Sequence, residues 1–167
     1  EVQLSAIAQG LDSDHFEVSV VCFYPGGALT QQIRDTGINL YCLDKAGRWD
    51  LIPFFFRLRR TLRQLRPDVL HAFLGPSNIL ASLVKPFVPG MRVIWGIRAS
   101  NMDLSHYDIT WRLGFTLERH LSQKADRIVA NSYAGRDYLL GMGFRGDRLE
   151  VVPNGIDVGS SGVDLEA

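Results

Sequence analysis

The sequence is short of the residues that mark several common functions. It has only two cysteines, Cys22 and Cys42, and no Cys-x-x-Cys, so neither a zinc ribbon nor a dithiol redox motif is present. Its four histidines, His15, His71, His106 and His120, show no paired ligand spacing. No bound metal and no cofactor are expected. Basic and acidic residues balance at 18 each, which leaves no electrostatic footprint for nucleic acid. No apolar run approaches the ~18 residues of a membrane-spanning helix. Gly26-Gly27 follows an apolar run, but the full G-x-G-x-x-G fingerprint is absent, which argues against NAD. There is no Gly-x-Ser-x-Gly elbow of a serine hydrolase. No signal peptide is visible, and a cytoplasmic location is expected. In that compartment Cys22 and Cys42 read as buried free thiols rather than a disulfide.

What is present is enough apolar sequence for a folded core. The chain has 167 residues, 46% of them hydrophobic, the size of one domain. Periodicity predicts helices over residues 1–11, 29–35, 50–66, 77–85, 105–124 and 133–142. Short β-branched and aromatic runs predict strands over 16–23, 38–43, 69–73, 93–97, 127–130 and 149–152. Asp50 is placed to cap the third helix, and Pro67 ends it. The alternation argues for βαβ units and an α/β fold: a mostly parallel sheet between helical layers. A Rossmann-like domain, however, starts with a central strand and a glycine-rich turn. This chain opens on a helix at Glu1, so that strand is expected to be missing, leaving two unpaired sheet edges. Residues 158–167, with Gly159-Ser160-Ser161-Gly162, read as a flexible tail or scar outside a domain of residues 1–157.

Several segments carry a family likeness in a fixed order. They are Leu11 to Val21, Asp68-Val69-Leu70-His71-Ala72-Phe73, Glu118 to Ser132, and Val152-Pro153-Asn154-Gly155-Ile156-Asp157. Singly they are weak; in this order the chain resembles the N-terminal domain of the retaining family 4 glycosyltransferases (group 1 type). The resemblance implies one half of a two-domain GT-B fold. It also implies transfer of a sugar from a nucleotide-sugar to an acceptor with retention of configuration and without a metal. The donor would be held mainly by a C-terminal domain, and the isolated fragment would be inactive. Glu1 would lie near the ligand cleft, as the last residue of a Gly-Gly-x-Glu turn.

Candidate site residues follow from strand ends, because open α/β sheets bind ligands at their carboxyl edge. His71 is a catalytic candidate, orienting the acceptor or touching donor phosphate; its imidazole can gain charge near neutral pH. The competing reading is a histidine hydrogen-bonded within the sheet edge. Ser77 and Asn78, in the loop that follows, are candidate acceptor or phosphate ligands. Arg98, Ser100 and Asn101 follow the strand 93–97. An arginine fork suits phosphate or carboxylate, against the alternative of a salt bridge to Asp103 or Asp108. Many members of the resembling family carry a histidine near here; this chain has Ile97 and Arg98, so no catalytic histidine carries over at this point. Asn131 and Ser132 end the next strand and suit either helix capping or an anion site. Asn154 and Gly155 read as a hinge, with glycine supplying an unusual backbone angle.

The helix over 50–66 has a second possible role. Leu51, Phe54, Phe55, Leu58, Leu62 and Leu65 are assigned to a core stripe. Phe56, Arg59, Arg60 and Arg63 fall on another face, and Arg57 and Arg66 add charge. Such a face can lie on an anionic membrane, though a solvated surface helix has the same pattern. The expected partners are thus a nucleotide-sugar, a glycan or lipid acceptor, and the inner face of a membrane. Two rival readings remain: a GT-B-like nucleotide-sugar epimerase, and a non-catalytic α/β module binding a small anion or a protein.

Overall fold

Short apolar runs bounded by turn residues become strands, and the amphipathic stretches between them become helices. The computed structural model describes residues 2–26, 28–47, 49–98 and 109–155. In order they form α1 (Val2–Gly10), β1 (Ser19–Cys22), α2 (Ala28–Asp35), β2 (Asn39–Cys42), α3 (Leu51–Leu65) and β3 (Val69–Phe73). The chain continues through α4 (Gly75–Val84), β4 (Arg92–Ile97), α5 (Ile109–Leu121), β5 (Arg127–Ala130), α6 (Tyr133–Gly141) and β6 (Leu149–Val151).

All pairings are parallel. Among the described residues they form two sheets, β1-β2 and β3-β4-β5-β6, with no ladder joining them. Within that set β1 and β2 are the edges of the smaller sheet, and β3 and β6 those of the larger. Strands β3 to β6 step in one direction, and the right-handed crossover rule puts α4, α5 and α6 on one face. The main core confirms this placement: Ala81, Val84, Leu121 and Leu139 from those helices meet Ala72, Val93, Trp95, Ile97 and Ile128. Phe54, Leu58 and Leu62 of α3 join the same core. A smaller core of Ala8, Val20 and Ile33 holds α1 and α2 against β1.

Three elements depart from the sequence expectation. Strand β1 is shorter than the 16–23 run: the Phe16 N–H is committed to the Asp12 carbonyl at 2.9 Å, in a turn where the Asp12 carboxylate also accepts the Asp14 N–H at 2.9 Å. Helix α4 starts at Gly75, not Ser77, because Pro76 fits the first helical turn. Asp50 precedes α3 but makes no side-chain cap bond. Its carboxylate instead accepts the Ala46 N–H at 2.9 Å and pairs with Arg57. Those contacts, the Ala46 N–H most of all, hold its carboxyl below the usual range.

Candidate functional site

The carboxyl ends of β3, β4 and β5 lie side by side. Phe73 is in register with Gly96, and Ile97 with Ala130. Arg98 and Asn131 therefore leave neighbouring strands at one level, and Gly75, at the start of α4, stands beside them. Val152 donates to the Ala130 carbonyl at 3.0 Å and brings the Pro153-Asn154-Gly155 exit to the same edge. Gln3 of α1 donates to the Gly155 carbonyl at 3.1 Å, so the start of α1 shares this side of the molecule.

Each candidate has a distinct setting. His71 faces away from the main core, stacked on Phe73 at 4.2 Å between centroids. Its Nε2 is buried and has no hydrogen-bond partner among the described residues. Burial pushes its pKa below the ordinary 6.5, so the ring is neutral at pH 7. Burial thus works against the charge that the sequence reading allows this ring. Gly96 is the floor beneath it: a Cβ there would stand 3.3 Å from His71 Nε2 and 2.9 Å from Phe73.

Arg98 is exposed, the first residue after β4. It makes no ion pair among the described residues. Ser100, Asn101, Asp103 and Asp108, like Glu1, lie outside those residues. Ser132 caps α6, its hydroxyl accepting the Gly135 N–H at 3.0 Å. Its neighbour Asn131 holds a buried Oδ1 that finds no partner among the described residues. Asn154 and Gly155 are exposed, and Gly155 does not adopt a left-handed angle. The conformational argument for a glycine hinge therefore finds no support in its backbone.

Ser77 is half-buried in the first turn of α4, while Asn78 is fully buried. Asn78 Nδ2 donates to Glu118 Oε1 at 3.0 Å. Asn78 thus faces α5 and not the cleft. Sequence reasoning passed over Glu118 as a site residue. Burial pushes its carboxyl pKa up, and its Oε2 lies 3.0 Å from the place of a Cβ on Gly75. The available signal was a lone acid in an otherwise apolar and basic helix. Leu74, between β3 and α4, takes φ 75°, ψ 150°, a region that glycine favours.

An exposed guanidinium beside the first turns of α4 and α6 is suited to an anionic group, since helix N-termini and arginine both favour negative charge. Among the described residues no cluster of three or more metal-ligating side chains forms.

A parallel α/β domain with its polar side chains gathered at the carboxyl edge is the architecture of one half of a GT-B glycosyltransferase. The sequence model of Glycosyltransferase Family 4 matches residues 1–160, and the chain belongs to that family. In fold it is similar to crystal structures of HepE from Anabaena. The HepE complex with UDP shares 15% identity over 93% of this chain, at a TM-score of 0.74. Those with UDP-glucose, and with UDP and glucose, share 16% identity over the same 93%, each at a TM-score of 0.75. The chain spans 40–41% of HepE. No curated protein matches it.

Proposed function

We propose that the chain is the N-terminal, acceptor-side domain of an enzyme that moves a hexosyl group from a nucleotide-sugar to a glycan or lipid acceptor, with retention and without a metal. The observation that carries this reading is the family match over residues 1–160. The similarity to HepE, which binds UDP and UDP-glucose, supports a nucleotide-sugar donor. A second α/β domain would hold the donor diphosphate and nucleotide, in keeping with the share of HepE that the chain spans. This domain would supply one wall of the cleft through His71, Ser77, Arg98, Ser100, Asn101, Asn131 and Ser132, with Asn154 and Gly155 leading to the hinge. The work would take place on the cytoplasmic side, with cell-envelope polysaccharide as the product class.

The experiment is a donor-hydrolysis screen against a panel of nucleotide-sugars. The two-domain protein should release nucleotide from one or a few donors. The 167-residue chain alone should show neither turnover nor tight binding by calorimetry. Micromolar affinity with measurable turnover by the chain alone would overturn the division of labour. Silence of the two-domain protein towards every donor, with acceptor extracts added, would overturn the transferase reading.

A further inference from the structure

Two thiols of this chain meet in space although no sequence motif joins them. Cys22 is the last residue of β1 and Cys42 the last of β2. They are 20 positions apart in the sequence, with α2 between them. The parallel register pairs Ser19 with Asn39 and carries that offset along to Cys22 and Cys42. Their sulfurs stand 2.8 Å apart.

The backbone allows a bond between them. Neighbouring strands run about 4.8 Å apart. That spacing falls within the ~4.4–6.8 Å between Cα atoms that a disulfide spans. Residues paired in register leave the same face of the sheet, so the two Cβ atoms point the same way. A disulfide is about 2.0 Å long, so the sulfurs need to approach by less than about 1 Å.

The surroundings leave the pair within reach and give the bond something to hold. Both cysteines are half-buried, so a small reagent has access to them. By strand alternation they extend the rows Val18-Val20 and Ile38-Leu40, which pack with α1 and α2. Among the described residues the buried members of that smaller core are Ala8, Val20 and Ile33, far fewer than in the main core. A thin core gains most from a covalent tie. On the opposite face the next residues hold α3. Phe23 packs edge-on against Phe54 at 4.8 Å, and the Leu43 carbonyl accepts from Arg57 Nε at 2.9 Å.

We propose that Cys22 and Cys42 form a reversible thiol–disulfide switch, reduced at rest and oxidised by a small disulfide of the glutathione class, which clamps β1 to β2. Burial and the facing thiol keep the proton on Cys22, so Cys42 opens the exchange. The Cys42 thiolate attacks one sulfur of oxidised glutathione, forming a mixed disulfide and releasing one glutathione thiolate. The Cys22 sulfur then attacks the Cys42 sulfur. The mixed disulfide breaks and the second glutathione leaves. Each departing glutathione thiolate takes up one of the two protein protons. Two protein thiols thus lose two electrons, and one glutathione disulfide becomes two glutathione thiols. Excess reduced glutathione drives the same steps backwards, as befits a transient bond in a reducing compartment.

The test incubates the 167-residue chain in glutathione buffers of graded poise, with an acid quench and mass mapping. Wild type should give one species, lighter by two hydrogens, with Cys22 joined to Cys42 and no glutathione retained. Excess reduced glutathione should restore both thiols. The folded chain should keep its disulfide against at least ~10-fold more reduced glutathione than the urea-unfolded chain does, because the fold holds the sulfurs together. Amide exchange across residues 19–42 should slow on oxidation, while exchange across β3 to β6 stays as it was. Cys22→Ser should stop at the mixed disulfide, with glutathione retained on Cys42. Thiols that stay free in oxidised glutathione overturn the proposal, and so does one glutathione held on each cysteine. Equal disulfide yield in folded and urea-unfolded chain overturns the claim that the fold builds the pair. Unchanged amide exchange overturns the clamp. The wild-type measurements decide the matter even where Cys22→Ser fails to fold.

Discussion

Asn78 and Glu118 join α4 to α5 through a bond of 3.0 Å, with the asparagine fully buried and the acid half-buried. Burial favours the neutral acid and raises its pKa above the ordinary 4.5. Between the ordinary value and the raised folded one, the folded state holds a proton that the unfolded state has released. This contribution is full below the ordinary value and declines as pH rises through the folded one. Glu118→Gln keeps an acceptor for Asn78 and removes the buried charge. Its melting temperature at pH 7 should equal or exceed that of wild type. Glu118→Ala leaves the Asn78 amide unpaired and should cost about 1–3 kcal/mol. Urea unfolding of both variants across pH checks this; a glutamine variant as damaged as the alanine one would show that the ionised acid is required.

Gly96 sets how closely the chain can pack beneath His71 and Phe73. A methyl group there meets Phe73 at 2.9 Å, closer than carbon atoms tolerate. Gly96→Ala should destabilise by roughly 1–3 kcal/mol, the usual cost of overpacking. Phe73→Leu should restore part of that loss, because it removes the ring that is struck. His71 adds a pH dependence of its own. Its folded pKa lies below the unfolded 6.5, so stability rises with pH across that interval and is lost as pH falls through the folded value. His71→Gln should flatten this part of the stability profile, read from denaturant midpoints between pH 5 and 7. An unchanged slope would mean that the ring is not held neutral by burial.

Much of this fold is legible in the sequence because its strands are short, β-branched and separated by helices of clear period. Strand β3 and the last turns of α3 fall where the pattern puts them. The misses have local causes. Asp50 has the residue type and place of a cap, yet Arg57 and Ala46 claim its carboxylate, a contest that only the folded loop reveals. Asn78 reads as a loop ligand because Gly75-Pro76 looks like a turn, although proline is equally at home in a first helical turn. The site is less legible still. Strand ends mark Arg98 and Asn131 as neighbours, but the neutrality of His71 and the burial of Glu118 arise from tertiary packing.

Cys22 and Cys42 face each other across β1 and β2, in register and 2.8 Å apart at sulfur. Both are free thiols and half-buried, in keeping with the sequence reading, though not fully enclosed. Burial first, and the neighbouring thiol second, push Cys22 up to about 12. The thiolate is the reactive form, so alkylation of folded Cys22 at pH 8 should be far slower than in the unfolded chain. Cys42→Ser should speed it only in part, because the larger cause remains. Mass-resolved iodoacetamide labelling reads each site separately. Prompt labelling of both thiols in the folded protein would show that the strand pair opens.

Arg98 is the exposed cation on the edge where β3, β4 and β5 end together. Its guanidinium spends no bond on a carboxylate among the described residues, and the neighbouring elements offer it the start of α4 and the capped start of α6. An anionic substrate group placed there would accept two parallel N–H bonds from the arginine fork, a geometry that lysine cannot reproduce. In the two-domain protein, Arg98→Ala should lower kcat/KM by roughly 2 kcal/mol of transition-state binding, the scale of a lost charge-assisted contact. Arg98→Lys should recover only part of it, because a point charge restores attraction without the paired bonds. Both variants should melt with wild type, since an exposed side chain with no partner among the described residues contributes little to folding. A fall in melting temperature that accounts for the lost activity would instead assign Arg98 to holding its own loop. Unchanged kcat/KM with an unchanged melt would move the anion site away from the end of β4.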